Sequence, residues 1–175
     1  MEIIIVLGYG FKSSNTLFAN RRPNITLLSD DGNIIEQNHL KTSDDTIFLQ
    51  GTLSSDIPLS YSLRGGPRFK NIPGLDWRIY GETGEIRITA TGLFLNVGYS
   101  DLKVEVHNFE NDTVEEVAMD RDEIDEIGEL RARNVARIYR ELENGVINCT
   151  FEDAVARHEF IESLYKENGY VEEAK

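Results

Sequence analysis

The chain has little cysteine, little proline and no excess of basic residues, and each shortage closes off a class of protein. Among 175 residues Cys149 is the single cysteine. No internal disulfide can form, and a reducing compartment, cytoplasmic or nuclear, is expected. No histidine lies near Cys149 in sequence to activate it as a nucleophile. Lysine and arginine number 18 against 31 acidic residues, a formal charge of −13. That balance opposes a phosphate backbone, and the basic residues form no stripe, so nucleic acid is not expected as a direct partner. The longest apolar run near the N-terminus, Ile3 to Leu7, has no basic residue before it. It falls far short of the roughly 20 residues that span a bilayer, so neither a membrane span nor a secretory signal is expected. His39, His107 and His158 are scattered, without cysteines or carboxylates at ligand spacing, and no metal centre is expected.

A third glycine is also missing. Ile3-Ile4-Ile5-Val6-Leu7-Gly8-Tyr9-Gly10 has the look of a strand entering a dinucleotide-binding loop, but position 13, where the fingerprint places a glycine, is Ser13. The following segment, Lys12 to Pro23, is too short and too polar for the crossover helix that would hold a pyrophosphate. The region is better read as a strand, a turn and a second strand over Asn24 to Asp30, with Gly8 and Gly10 as the lead-in to a sheet.

Prolines are confined to Pro23, Pro58, Pro67 and Pro73, which divides the chain into two regimes. The first alternates short β-rich runs with turn signals: Glu36 to Leu40, Thr46 to Leu53, Leu59 to Leu63 and Asp76 to Tyr80. Around Gly81 and Gly84 the alternation on both sides predicts a hairpin with Trp77, Ile79, Ile86 and Ile88 on one side. Leu93 to Val97, Leu102 to His107 and Thr113 to Ala118 extend the pattern. Strands in succession without intervening helices imply a mostly antiparallel sheet. The second regime is helical. Ile127, Leu130, Val135, Ile138 and Leu142 recur at helical steps over Glu126 to Glu143, Glu129 and Arg133 form an i,i+4 pair, and Asn144-Gly145 is a stop. Thr150 with Asp153 is a capping box for a second helix whose stripe is Phe151, Ala154, Val155, His158, Ile161 and Tyr165, closed by Asn168-Gly169. His158 is expected in the core. The acidic stretch from Asp120 to Glu126 is expected to be a solvated linker and helix start.

The expected class is α+β: a large, mostly antiparallel sheet (residues 1–119), a helical hairpin packed on one face (120–169) and a tail (170–175). The other sheet face then lacks a cover, and an exposed apolar face marks an interface.

Three blocks carry a resemblance: Gln50-Gly51-Thr52-Leu53-Ser54-Ser55, Ser62-Leu63-Arg64-Gly65-Gly66-Pro67, and Pro73-Gly74-Leu75-Asp76-Trp77-Arg78-Ile79-Tyr80-Gly81-Glu82-Thr83-Gly84-Glu85-Ile86-Arg87. From about Val6 to Gly169 the chain resembles the C-terminal domain of the fungal galactose-regulon repressor branch of the glucose-fructose oxidoreductase, inositol dehydrogenase and MocA (Gfo/Idh/MocA) superfamily. The resemblance implies that NAD or NADP, a Glu-Lys-Pro lysine and an Asp/His pair belong to segments absent from this sequence. No catalytic, cofactor-binding or metal residue is therefore carried over. It also implies dimerisation through the open sheet face. Repressor-type members bind an acidic activation domain with both of their domains, for which an acidic chain is a poor electrostatic match.

Arg64, Arg68 and Lys70 surround Gly65-Gly66-Pro67. They either present positive charge to a phosphate or an acidic peptide, or are solvated loop charge. Trp77 and Tyr80 either stack on a sugar or anchor a core or interface. These five are the candidate substrate or partner residues. The leading expectation is a non-catalytic, self-associating or protein-binding domain, truncated relative to its family. The alternative is half of an NAD(P)-dependent sugar oxidoreductase, with a Rossmann domain supplied upstream or in trans.

Overall fold

The computed structural model describes residues 10–92, 95, 101–118, 122–147 and 150–170. The chain divides into two compact units, Met1–Gly66 with Cys149–Lys175, and Pro67–Asn148. This boundary differs from the 1–119 and 120–169 division expected above, because the two helices belong to different units.

The first unit is built on a three-stranded antiparallel sheet of order β1-β4-β5, with β1 at Phe11–Ala19, β4 at Thr46–Leu53 and β5 at Pro58–Arg64. Strands β2 (Asn24–Leu28) and β3 (Ile34–Leu40) pair as a separate ribbon. The ribbon closes through Ser29, whose N–H donates to the Asn33 carbonyl at 2.8 Å. Strand β1 occupies the segment that was too polar to read as a helix. Residue register sorts the central sheet into two faces: Thr16 pairs with Leu49 and Phe18 with Ile47, whereas Leu17 pairs with Phe48 and Asn15 with Gln50. The first face holds the buried Leu49 and Leu53.

That face is covered by helix α2, Phe151–Glu167. Phe160 stacks on Phe11 with ring centroids 4.9 Å apart, and Tyr165 meets Phe18 edge-on at 5.2 Å. The expected capping box is present: Thr150 Oγ1 accepts from the Asp153 N–H at 3.2 Å, and Asp153 accepts from the Thr150 N–H at 2.9 Å. The buried phase of the helix is rotated from the expected stripe. Leu164 is buried and Ala154, Arg157, Phe160 and Ile161 are half-buried, while Phe151, Val155 and His158 are exposed. His158 is thus not a core residue. At about 100° per residue it stands to one side of the line through Phe160 and Leu164 that the aromatic rings of β1 select.

The second unit carries a four-stranded antiparallel sheet, β6-β7-β8-β9: Leu75–Tyr80, Gly84–Ala90, Lys103–Asn108 and Thr113–Glu116. The hairpin expected around Gly81 and Gly84 is β6-β7, and its register sets Trp77 opposite Ile88 and Ile79 opposite Ile86. Val104 and Val106 continue this apolar face on β8. Most of the run Leu93 to Val97 lies outside the described residues. Helix α1 spans Leu130–Glu143 and ends at Gly145, whose φ of +77° suits glycine. It starts later than its apolar spacing implied. Asp122 caps a short 3-10 helix at Glu123–Glu126, and Ile127 is extended beyond it. The class is α+β, as expected. The strands form three separate ladders among the described residues, where one large sheet was expected.

Candidate functional site

In the first unit, α2 leaves the second face of the β1-β4-β5 sheet open. Its side chains are Ser13, Asn15, Leu17, Phe48, Gln50, Thr52, Pro58, Ser60 and Ser62, with Arg64 at the end of β5. This face is not the apolar one expected for an uncovered sheet. Hydroxyls and amides dominate, and the apolar part is the cross-strand pair Leu17 and Phe48, 56% and 45% exposed. Carboxylates are missing from this face although the chain carries −13. The bulge between Phe11 and Ser13 opens a shallow trough of about 780 Å³ beside Asn15, Gln50 and Ser60. Gly51 makes the bulge possible, since a Cβ there would lie 2.1 Å from the Ser13 carbonyl oxygen.

Two polar nodes hold this sheet. Asp45, just before β4, accepts from the Arg21 and Arg22 N–H groups at 3.0 and 2.8 Å, from Lys41 Nζ at 3.1 Å and from Thr46 Oγ1 at 3.1 Å. Desolvation pushes its pKa up, but the bonds from Arg21, Lys41, Thr46 and Arg22 outweigh it and hold the carboxyl at about 2. Asn168, the C-cap of α2, secures β1. Its Oδ1 accepts from the Phe18 N–H at 2.8 Å, and its Nδ2 donates to Thr16 Oγ1 at 2.7 Å and to the Leu164 carbonyl at 2.8 Å. Neither node was singled out from sequence. The Asn168-Gly169 stop marked the second node only as a helix end.

In the second unit, the face of β6-β9 opposite Trp77 is a charge ladder. Arg87 holds Asp76 with two bonds, Nε to Oδ1 at 3.0 Å and Nη2 to Oδ2 at 2.8 Å. This pairing lowers the Asp76 pKa and raises that of Arg87. Lys103 bridges Glu105 at 2.8 Å and Glu116 at 3.2 Å.

The five candidate residues distribute as follows. Arg64 ends β5 in the first unit. Arg68 and Lys70 are exposed in the loop before β6, and Arg68 Nη1 donates to the Ile72 carbonyl at 3.2 Å. Trp77 and Tyr80 fall on opposite faces of β6: Trp77 is half-buried, and Tyr80 is 78% exposed with its ring against Phe109 at 5.3 Å. They cannot stack on one ligand from the same side. Next to Arg68, a cleft of about 370 Å³ is lined by Asn71, Thr91, Asp101 and Lys103.

The residues after Gly10 do not suit a dinucleotide. They continue as β1, so no helix N-terminus follows the glycine to meet a pyrophosphate. Among the described residues no group of three or more His, Cys, Asp or Glu is placed to hold a metal ion. No helix among them is long and apolar enough to cross a membrane.

These features define an α+β protein of mostly antiparallel sheets followed by two C-terminal helices. The family model of the Gal80p C-terminal domain matches residues 2–90, and the chain belongs to that family. The galactose/lactose metabolism regulatory protein GAL80 of Saccharomyces cerevisiae is 26% identical over 194 residues, which cover 90% of this chain and 45% of the relative. A solved super-repressor mutant of Gal80p from Saccharomyces cerevisiae superposes with a TM-score of 0.73 at 22% identity, over 95% of this chain and 44% of that one. The transcriptional regulator Gal80p from Kluyveromyces lactis gives 0.72 at 23% identity, over 95% and 40%. The chain thus spans less than half the length of the curated relative, and the fold matches the resemblance drawn from the three sequence blocks.

Proposed function

We propose that the chain is a non-catalytic association module of a repressor-like regulator, pairing with a second copy of itself through the open face of the β1-β4-β5 sheet. The observation that carries this reading is the lack of carboxylates on that face. Two chains of −13 repel wherever acidic surfaces meet. A face of Ser, Asn, Gln and Thr around an exposed Leu17-Phe48 centre can meet its own copy without that cost. The family relation supports a regulatory role over the oxidoreductase alternative. In the second unit, the exposed Arg68, Lys70 and Tyr80 are assigned to further contacts with a protein partner.

Sedimentation velocity at micromolar concentration tests the pairing. The wild-type chain should sediment as a dimer, and Phe48→Asp, which places a carboxylate at the centre of the face, should sediment as a monomer of unchanged circular dichroism. A wild-type monomer across the micromolar range would sink the proposal. So would a Phe48→Asp dimer as tight as the wild type.

A further inference from the structure

Asparagine is followed by glycine at two places, Asn144-Gly145 and Asn168-Gly169, and each pair follows a glutamate. An asparagine before glycine readily loses its side-chain amide, because the glycine nitrogen, with no Cβ beside it, can reach the asparagine Cγ. The fold decides which of the two pairs reacts.

Both pairs end a helix in the same way. At the end of α1 the Gly145 N–H donates to the Leu142 carbonyl at 3.0 Å and the Val146 N–H to the Glu141 carbonyl at 2.8 Å. At the end of α2 the Gly169 N–H donates to the Lys166 carbonyl at 3.0 Å and the Tyr170 N–H to the Tyr165 carbonyl at 3.1 Å. Each is a Schellman cap with its glycine in the left-handed region, at φ of +77° and +85°. A Cβ on either glycine would meet no atom within 4 Å. Local sequence, backbone bonding and open space beside the glycine therefore match.

The asparagine side chains do not. Asn168 is half-buried and held at both ends, its Oδ1 by the Phe18 N–H and its Nδ2 by Thr16 Oγ1 and the Leu164 carbonyl. Turning its Cγ onto the Gly169 nitrogen would break those bonds. Asn144 is exposed, and its side chain has no hydrogen-bond partner among the described residues.

We propose that Asn144-Gly145 is a self-modification site, at which the chain converts Asn144 to aspartate and isoaspartate and unlatches the end of α1. The Gly145 nitrogen gives its proton to water and bonds to Asn144 Cγ; the Cγ–Nδ2 bond breaks and ammonia leaves, closing a succinimide ring. Water then opens the ring. Cleavage of the nitrogen–Cγ bond leaves aspartate, and cleavage of the bond from nitrogen to the main-chain carbonyl carbon leaves isoaspartate, whose main chain runs through Cβ. Water is consumed, ammonia is released and nothing is oxidised or reduced. Either product sets a carboxylate at the negative end of the helix dipole, next to Glu143. Isoaspartate also lengthens the main chain inside the cap, which pulls the Gly145 and Val146 N–H groups out of register with their carbonyls. The loosened turn lies just before the chain leaves the second unit at Asn148.

Incubation of the full chain at mildly alkaline pH, followed by peptide mapping with fragment-ion localisation, tests the site. In the folded chain Asn144 should convert at least about tenfold faster than Asn168, whose hydrogen bonds must first break. In urea, where both caps are gone, the two Glu-Asn-Gly sequences should convert at similar rates. Amide hydrogen exchange at Gly145 and Val146 should quicken in the converted chain and stay unchanged at Gly169 and Tyr170. Equal conversion of the two asparagines in the folded chain would overturn the proposal, as would an Asn144 that stays an amide while the urea-unfolded chain converts. Conversion without faster exchange at Gly145 would overturn the unlatching.

Discussion

Asp45 shows how one side chain can organise several strand ends. Its carboxylate gathers the Arg21 and Arg22 amides after β1, Lys41 after β3 and Thr46 at the start of β4, while its own carbonyl accepts from the Gly65 N–H at 2.6 Å, just past β5. Its folded pKa of about 2 lies below the ordinary 3.8. A depressed carboxylate contributes stability that is complete above about pH 4 and lost as pH falls through the folded value. The melting temperature of the wild type should therefore drop between about pH 4 and pH 2 more steeply than that of Asp45→Asn. Parallel slopes in a thermal series would show that the node is not linked to folding. Asn168 makes a second residue-scale case. Asn168→Ala leaves the Phe18 N–H and Thr16 hydroxyl without that partner and should cost about 1–3 kcal/mol in urea denaturation.

At the level of elements, legibility followed locality. The β6-β7 hairpin was readable because alternation and its glycines lie within a dozen residues, and the Thr150-Asp153 box because capping is a three-residue relation. Strand β1 was not. Ser13, Ser14 and Asn15 favour no strand by themselves, and what makes them one is pairing with β4 and the rings of α2. The phase of α2 was missed for the same reason: its apolar residues allow two neighbouring stripes, and Phe11 chooses between them. Of the candidate site, the uncovered sheet face was foreseen from counting layers. Its lack of carboxylates was not, because it appears only when β1, β4 and β5 are placed in register. Gly51 tests that register. Gly51→Ala forces its Cβ against the Ser13 carbonyl and should cost about 1–3 kcal/mol. A substitution neutral to the melting curve would mean that the bulge yields freely.

For the whole molecule, the net charge of −13 sets the salt dependence of the proposed pairing. With a sequence pI near 4.6 the chain carries net negative charge at neutral pH, and a face without carboxylates meets its own copy at the least electrostatic cost. Added salt should leave the proposed dimer intact or tighten it as the repulsion between like-charged copies is screened, which sedimentation velocity across a salt series checks.

The Phe11-Phe160 stack and the Phe18-Asn168 bond join β1 to the C-terminal end of α2, with 150 residues separating the latter pair. During translation β1 emerges long before its cover exists, while all of Pro67–Asn148 is synthesised in between. A chain cut before α2 should therefore leave Phe11 and Phe18 uncovered, and should be cleaved faster than the full chain in limited proteolysis.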